Sequence, residues 1–127
     1  MGQPEERVDP RRVFPPAESI IVAALGYGPS LPADFPEEGL RGRVAGFAVG
    51  VDYHRALGDK LRLLAERVRD ETGANFALAV DATPLLEKAL ARRSGLGFFG
   101  ENGLIYLRDK GSFFVLGEIL IDKRLDP

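Results

Sequence analysis

The stretch from Val80 to Leu125 constrains the fold more than any other part of the chain. It begins where the apolar run Phe76 to Val80 stops at Asp81, continues through a helix-forming segment, and reaches a glycine-rich turn, Gly95-Leu-Gly-Phe-Phe-Gly100. Two apolar runs follow, Leu104 to Leu107 and Ser112 to Ile121, joined through Arg108, Asp109, Lys110 and Gly111. A turn that short makes the last pair of strands an antiparallel hairpin. The chain is therefore not a repeating βαβ unit, and helices packed on a mixed, largely antiparallel sheet fit it better.

The earlier segments supply the rest of that sheet. Residues 1–18 are charged and rich in proline, which predicts an extended arm anchored by Val13 and Phe14. Ser19 to Gly26 (SIIVAALG) reads as a strand buried on both faces. Residues 29–42 carry Pro29, Pro32 and Pro36 among acidic residues and read as an irregular loop. Arg43 to Val51 (RVAGFAVGV) is expected to form a second strand, with Gly46 and Gly50 either marking bulges or leaving room for a group close to the backbone. Asp52 can cap a helix running to about Thr72, with Leu57, Leu61, Leu64 and Val68 as its apolar stripe and Gly73 as its stop. Asn75 to Val80 is the third strand. Thr83 then caps, and Pro84 opens, a second helix that ends at Ser94, with Leu86 and Leu90 facing inward. The fold class is α+β: an arm over 1–18 and a single domain over 19–127.

Composition excludes several kinds of chemistry. The chain has no cysteine, so it holds no disulfide, no thiolate zinc site and no iron–sulfur cluster. Seventeen basic against nineteen acidic residues give a net charge of −2, which does not gather a polyanion. The longest apolar run, Ile20 to Leu25, is too short to span a bilayer, and MGQPEERVDPRR lacks the core of a secretory signal, so a soluble, cytoplasmic protein is expected.

Three features carry candidate chemistry. Gly95 to Gly100 spells G-x-G-x-x-G, but the dinucleotide turn needs a strand before it and a helix after it, and here the order is reversed. A helix stop followed by a tight apolar turn is the better reading, and a backbone lying flat against a broad planar ligand is a third. His54, the only histidine, stands beside Tyr53 near a helix start, where it can titrate near neutrality or serve a structural role. Glu87, Lys88, Arg92 and Arg93 read as a solvated helix face. Asp81 follows five apolar residues and precedes Ala-Thr-Pro, which points to a partly buried carboxyl. Desolvation would keep it protonated as an acid, whereas an adjoining helix N-terminus would favour the anion; the alternative is a simple helix cap.

Several segments, in order, resemble the N-terminal, cobalamin-binding domain of epoxyqueuosine reductases, enzymes that complete queuosine at the wobble position of certain tRNAs. They are Asp9-Pro-Arg-Arg12 leading into Ser19-Ile-Ile-Val22, Val51-Asp-Tyr-His54, Val80-Asp-Ala-Thr-Pro84 with Glu87-Lys88, Gly95 to Asn102, and Gly111 to Glu118. The resemblance runs from Val8 onward. It implies a base-off cobalamin reduced through iron–sulfur clusters, with Asp81 of the Val-Asp-x-x-Pro motif as the proton donor. It further implies a corrin pocket lined by Val44 and Ala45, by Asn102 to Ile105 and by Leu116, in a fold similar to nitroreductase-like cobalamin-processing domains.

The chain also departs from that family. Phe98 and Glu101 stand where the family usually has tryptophan and lysine, reversing a charge beside the implied pocket. The cysteine-rich domain and the first helical segment of the family have no counterpart here. The expectation is thus a cobalamin-binding domain that needs a separate iron–sulfur electron donor, meets tRNA only with that partner, and self-associates as a homodimer to cover exposed strand edges. The alternative is a non-catalytic corrinoid carrier or protein-interaction module.

Overall fold

Leucine and β-branched side chains fill both faces of the last long apolar run, and this makes it the middle of a sheet. The computed structural model describes residues 9–28, 44–48, 50–81 and 84–126. In it β5 (Phe114–Ile121) lies between β1 (Ser19–Gly26) and β2 (Phe76–Ala79), and both pairings are antiparallel. The register sets Val22 and Ala79 on either side of Glu118. The expected loop over 29–42 and the Thr83 cap lie outside the described residues.

One face of β5 is covered by α1 (Tyr53–Thr72). Asp52 caps that helix by accepting the His54 N–H at 3.0 Å, and Gly73 closes it in the left-handed conformation, as the sequence predicts. Leu57, Leu61 and Ala65 are buried against Ile119 and Ile121, while Val68 packs at the margin. Each fully buried leucine or isoleucine of this layer contributes about 1.5–3 kcal/mol of hydrophobic stabilisation. Leu64, assigned to the stripe, is largely exposed, and Ala65 takes its place one position round the helix.

The opposite face of β5 is closed by three smaller pieces. Val13, Phe14 and Ala17 pack with Leu85 and Leu120, so this end of the N-terminal segment is anchored to the sheet; residues Pro10–Arg12 form a 3₁₀ turn rather than an extended arm. α2 (Glu87–Arg93) contributes Ala91 and, at the margin, Leu90. It starts three residues later than the sequence suggests, leaving Leu86 exposed at its N-cap and Leu85 buried instead. The third piece is a small ribbon of β3 (Phe98–Phe99) and β4 (Ile105–Tyr106).

Two further expectations are corrected. The described residues between 44 and 51 form no strand; Gly46–Ala48 is a 3₁₀ turn, and Gly46 faces the Tyr27 ring. The terminal hairpin does not form either. Leu107 and Gly111 share only an isolated bridge, β4 turns back to pair with β3, and β5 takes its partners from far earlier in the chain. The α+β class with an antiparallel sheet and two helices stands, and every strand pairing described is antiparallel.

The glycine turn accounts for the first of these pairings. A Cβ on Gly97 would sit 2.7 Å from the Tyr106 carbonyl oxygen, and one on Gly100 would sit 2.6 Å from the Tyr106 ring. These glycines let β4 lie directly on the turn, and no helix N-terminus follows to receive a pyrophosphate. Gly97→Ala is expected to destabilise the chain by about 1–3 kcal/mol, because backbone rather than a flexible side chain must move. Urea denaturation measures it, and an unchanged midpoint would show that the ribbon yields freely.

Candidate functional site

Among the described residues an apolar cleft lies beside the end of β2. It has a volume of about 470 Å³, and Tyr27, Phe47, Leu104, Ile105, Phe113 and Leu116 form its walls. Tyr27 meets Phe47 and Phe113 edge to face, and Phe47 meets Tyr53 in the same way. Such contacts hold broad rings in fixed orientations. Asp81, Glu87 and Lys88 make one polar end.

Asp81 is set by backbone as well as side-chain contacts. β2 ends at Ala79, and Asp81 turns the chain with a φ of 49°, a left-handed conformation that aspartate tolerates better than most residues. Its N–H donates to Glu87 Oε1 at 2.9 Å. Its Oδ2 accepts the Tyr53 hydroxyl at 2.5 Å and lies 3.6 Å from His54 Nε2. Tyr53 and His54 are stacked, with ring centroids 4.0 Å apart, and His54 Nδ1 is 2.9 Å from Asp52 Oδ1. The first turn of α1 therefore presents a phenol and an imidazole to one carboxylate oxygen.

The electrostatics follow from these contacts. The hydrogen bond to Asp81 pushes the Tyr53 phenol up to about 12, because ionising it would place two anions together. Hydrogen bonds from His54 hold the Asp52 carboxyl below its ordinary range. Buried Glu118, behind this region on β5, is pushed up to about 8 by desolvation, with Glu87 adding to the shift.

The sequence-derived site residues distribute unevenly. Asp81, Ile105 and Leu116 line the cleft. Asn102 shapes the β3–β4 turn instead: its amide donates to the Tyr106 hydroxyl at 2.9 Å and its carbonyl accepts the Leu104 N–H at 3.1 Å. Val44 and Ala45 are exposed and outside the cleft lining, where nearby Phe47 stands instead. Asp81 is not partly buried, its side chain being 60% exposed, nor does it cap α2, which begins six residues later. Glu87, read as part of a solvated face, fastens the Asp81 amide. Tyr53 and Glu118 were not singled out for any role; an aspartate beside a Tyr-His pair gives no local signal when 28 residues separate them.

Known proteins with the same features are consistent in kind. A family model described as epoxyqueuosine reductase QueG, DUF1730, matches residues 7–82. The chain is 35% identical over 119 residues to an epoxyqueuosine reductase of Leadbetterella byssophila, covering 93% of this chain and 38% of the relative. It overlays the solved epoxyqueuosine reductase of Streptococcus thermophilus with a TM-score of 0.89 at 34% identity, covering 100% of this chain and 35% of the other. The Bacillus subtilis enzyme, solved with a catalytic aspartate loop swung out of its active site, gives 0.86 at 30% identity, covering 100% and 34%. The chain thus spans about a third of the length of these proteins. With its sequence and its fold both aligned along that third, it belongs to the epoxyqueuosine reductase family.

Proposed function

We propose that this chain is the cobalamin-binding portion of an epoxyqueuosine reductase, with Asp81 as the proton donor and with electrons supplied by a separate iron–sulfur protein or domain. The observation that carries the reading is the position of Asp81: a carboxylate fixed through its amide and its Oδ2 at the one polar end of an aromatic-walled cleft. A catalytic aspartate loop is also named in the Bacillus subtilis relative. Because epoxyqueuosine differs from queuosine by one bridging oxygen, its reduction needs an acid at that oxygen.

The residues present suit one face of a flat, largely apolar macrocycle. Tyr27, Phe47, Phe113, Ile105 and Leu116 offer rings and branched carbons, and Asp81, Glu87 and Lys88 are the charged groups of the lining. When bound, cobalamin would supply the low-potential electron pair. The chain's own contribution is to exclude water along the aromatic wall and to hold Asp81 at the rim. Tyr53 keeps the carboxylate oriented, and Glu87 keeps its backbone turned toward the cleft.

Anaerobic titration of the purified chain with cob(II)alamin tests this directly. A saturable shift of the visible spectrum to the base-off form is expected. A folded chain that leaves the spectrum unchanged would overturn the reading in favour of a protein-interaction module, the role that the exposed, charge-reversing Glu101 would then fit.

A further inference from the structure

Removing a bridging oxygen as water consumes two electrons and two protons, and a single carboxyl carries one proton. If Asp81 is the donor, as the proposed function holds, it must be reloaded within each turnover. Tyr53 is poorly suited to this, since its phenol is held strongly in the protonated state by the very carboxylate it touches.

We propose that His54 reloads Asp81, passing a proton from solvent through Nε2 to Asp81 Oδ2 while Asp52 anchors Nδ1. The geometry is that of a relay. Nε2 stands 3.6 Å from Oδ2, a gap that a small side-chain rotation closes, and Nδ1 is tied at 2.9 Å to the helix-capping carboxylate. Stacking on Tyr53 fixes the plane of the ring. His54 does not line the cleft, whereas Tyr53 and Asp81 do. A ligand that fills the cleft would therefore cover Asp81 and leave His54, 46% exposed at its side chain, in contact with water.

The step balances. Asp81 gives its proton to the epoxide oxygen as a carbon–oxygen bond breaks, and becomes a carboxylate. The imidazolium N–H bond then breaks as an O–H bond forms on Oδ2, and the neutral ring keeps its Nδ1 proton on Asp52. The second proton follows the same path to the departing oxygen, which leaves as water. The two electrons would be supplied by the cofactor when bound, replenished by an external low-potential donor. His54 acts through Asp81 and does not touch the substrate. Among the described residues the ionisable groups in contact with it are Asp52, Tyr53 and Asp81, with Glu87 behind Asp81.

The test uses the whole chain, cob(II)alamin, titanium(III) citrate as reductant and an epoxyqueuosine-containing tRNA stem loop. His54→Gln is expected to bind cobalamin as the wild type does and to lose at least tenfold in multiple-turnover rate, with most of that loss restored by added imidazole. A rate equal to the wild type, or a loss that imidazole does not restore, overturns the relay. A cofactor-free readout accompanies it: ¹⁵N NMR of the neutral His54 ring is expected to show the Nδ1–H tautomer, lost on Asp52→Ala, and the Nε2–H tautomer in the wild type would overturn the proposal. A wild-type chain that binds no cobalamin overturns the proposed function and the relay with it, whereas a wild type that binds and turns over beside an equally active His54→Gln overturns the relay alone.

Discussion

Asp81→Asn is expected to leave cobalamin binding within about twofold of the wild type while lowering epoxyqueuosine reduction by roughly 10²–10⁴-fold, the range that a positioned general acid contributes. The substitution isolates the proton. Asparagine tolerates the left-handed backbone that Asp81 adopts, so the turn after β2 is preserved. Its amide oxygen can still accept the Tyr53 hydroxyl, and its backbone N–H can still reach Glu87, the contacts that place the residue. Only the transferable proton is gone. The measurement is product formed in a single turnover with chemically reduced cofactor, beside a binding titration of the same preparation. A rate within tenfold of the wild type would show that the acid lies elsewhere.

How much of this was legible in the sequence depends on the range of the interactions involved. β1, α1, β2 and β5 were, because their signals are local: short apolar runs for the strands, and an Asp52 cap with a Gly73 stop for the helix. The run from Arg43 to Val51 misled because its valine, alanine and phenylalanine side chains imitate a strand; among its described residues Gly46 instead faces the ring of Tyr27, a contact invisible along the chain. The terminal hairpin misled because the 108–111 turn is real but weak, closing only the Leu107–Gly111 bridge. The stronger pairing goes to whichever backbone can approach, and Gly97 and Gly100 open that approach to β4.

The site follows the same logic. Asp81 stood out as an aspartate at the end of an apolar run, but its supporting groups could not. Tyr53 and His54 come from the first turn of α1 and Glu87 from the start of α2, so only the packing of both helices around the sheet brings them to one residue, the first two to its carboxylate and Glu87 to its amide. Burial of Asp81 was misjudged for a related reason. Of the apolar residues before it, Phe76, Leu78 and Val80 turn into the α1 layer and Ala77 and Ala79 into the opposite one, while Asp81 follows the end of the strand and lines the cleft.

The other large effect is expected at Glu118, where stability should fall as pH rises from about 4.5 to about 8. Glu118 is fully buried at the middle of the central strand, and neither carboxyl oxygen has a hydrogen-bond partner among the described residues. Its strand neighbours are Val22 and Ala79, which offer no charge, and the charged group acting on it from α2 is Glu87, of like sign. Desolvation first, and Glu87 second, push it from 4.5 to about 8, so the folded chain holds this carboxyl protonated at neutral pH. Below 4.5 both folded and unfolded chains carry the proton and the full stability is present. Between the two values only the folded chain carries it, and each pH unit removes about 1.4 kcal/mol. Above about 8 both are ionised and the loss is complete, having reached on the order of a few kcal/mol. Asp52 and Asp122, held low by hydrogen bonds from His54 and Asn75, titrate below this window, and Tyr53 titrates above it. Glu118→Gln keeps the shape and removes the ionisation. It should flatten the slope and leave the variant more stable than the wild type at pH 8 but not at pH 4, as read from urea midpoints at several pH values. A flat wild-type profile would mean that Glu118 is ionised at neutral pH and has a cationic or donor partner. Wherever Glu118 is ionised its charge bears on the site, because the carboxylate that feels it, Glu87, is the one that holds the Asp81 amide in place.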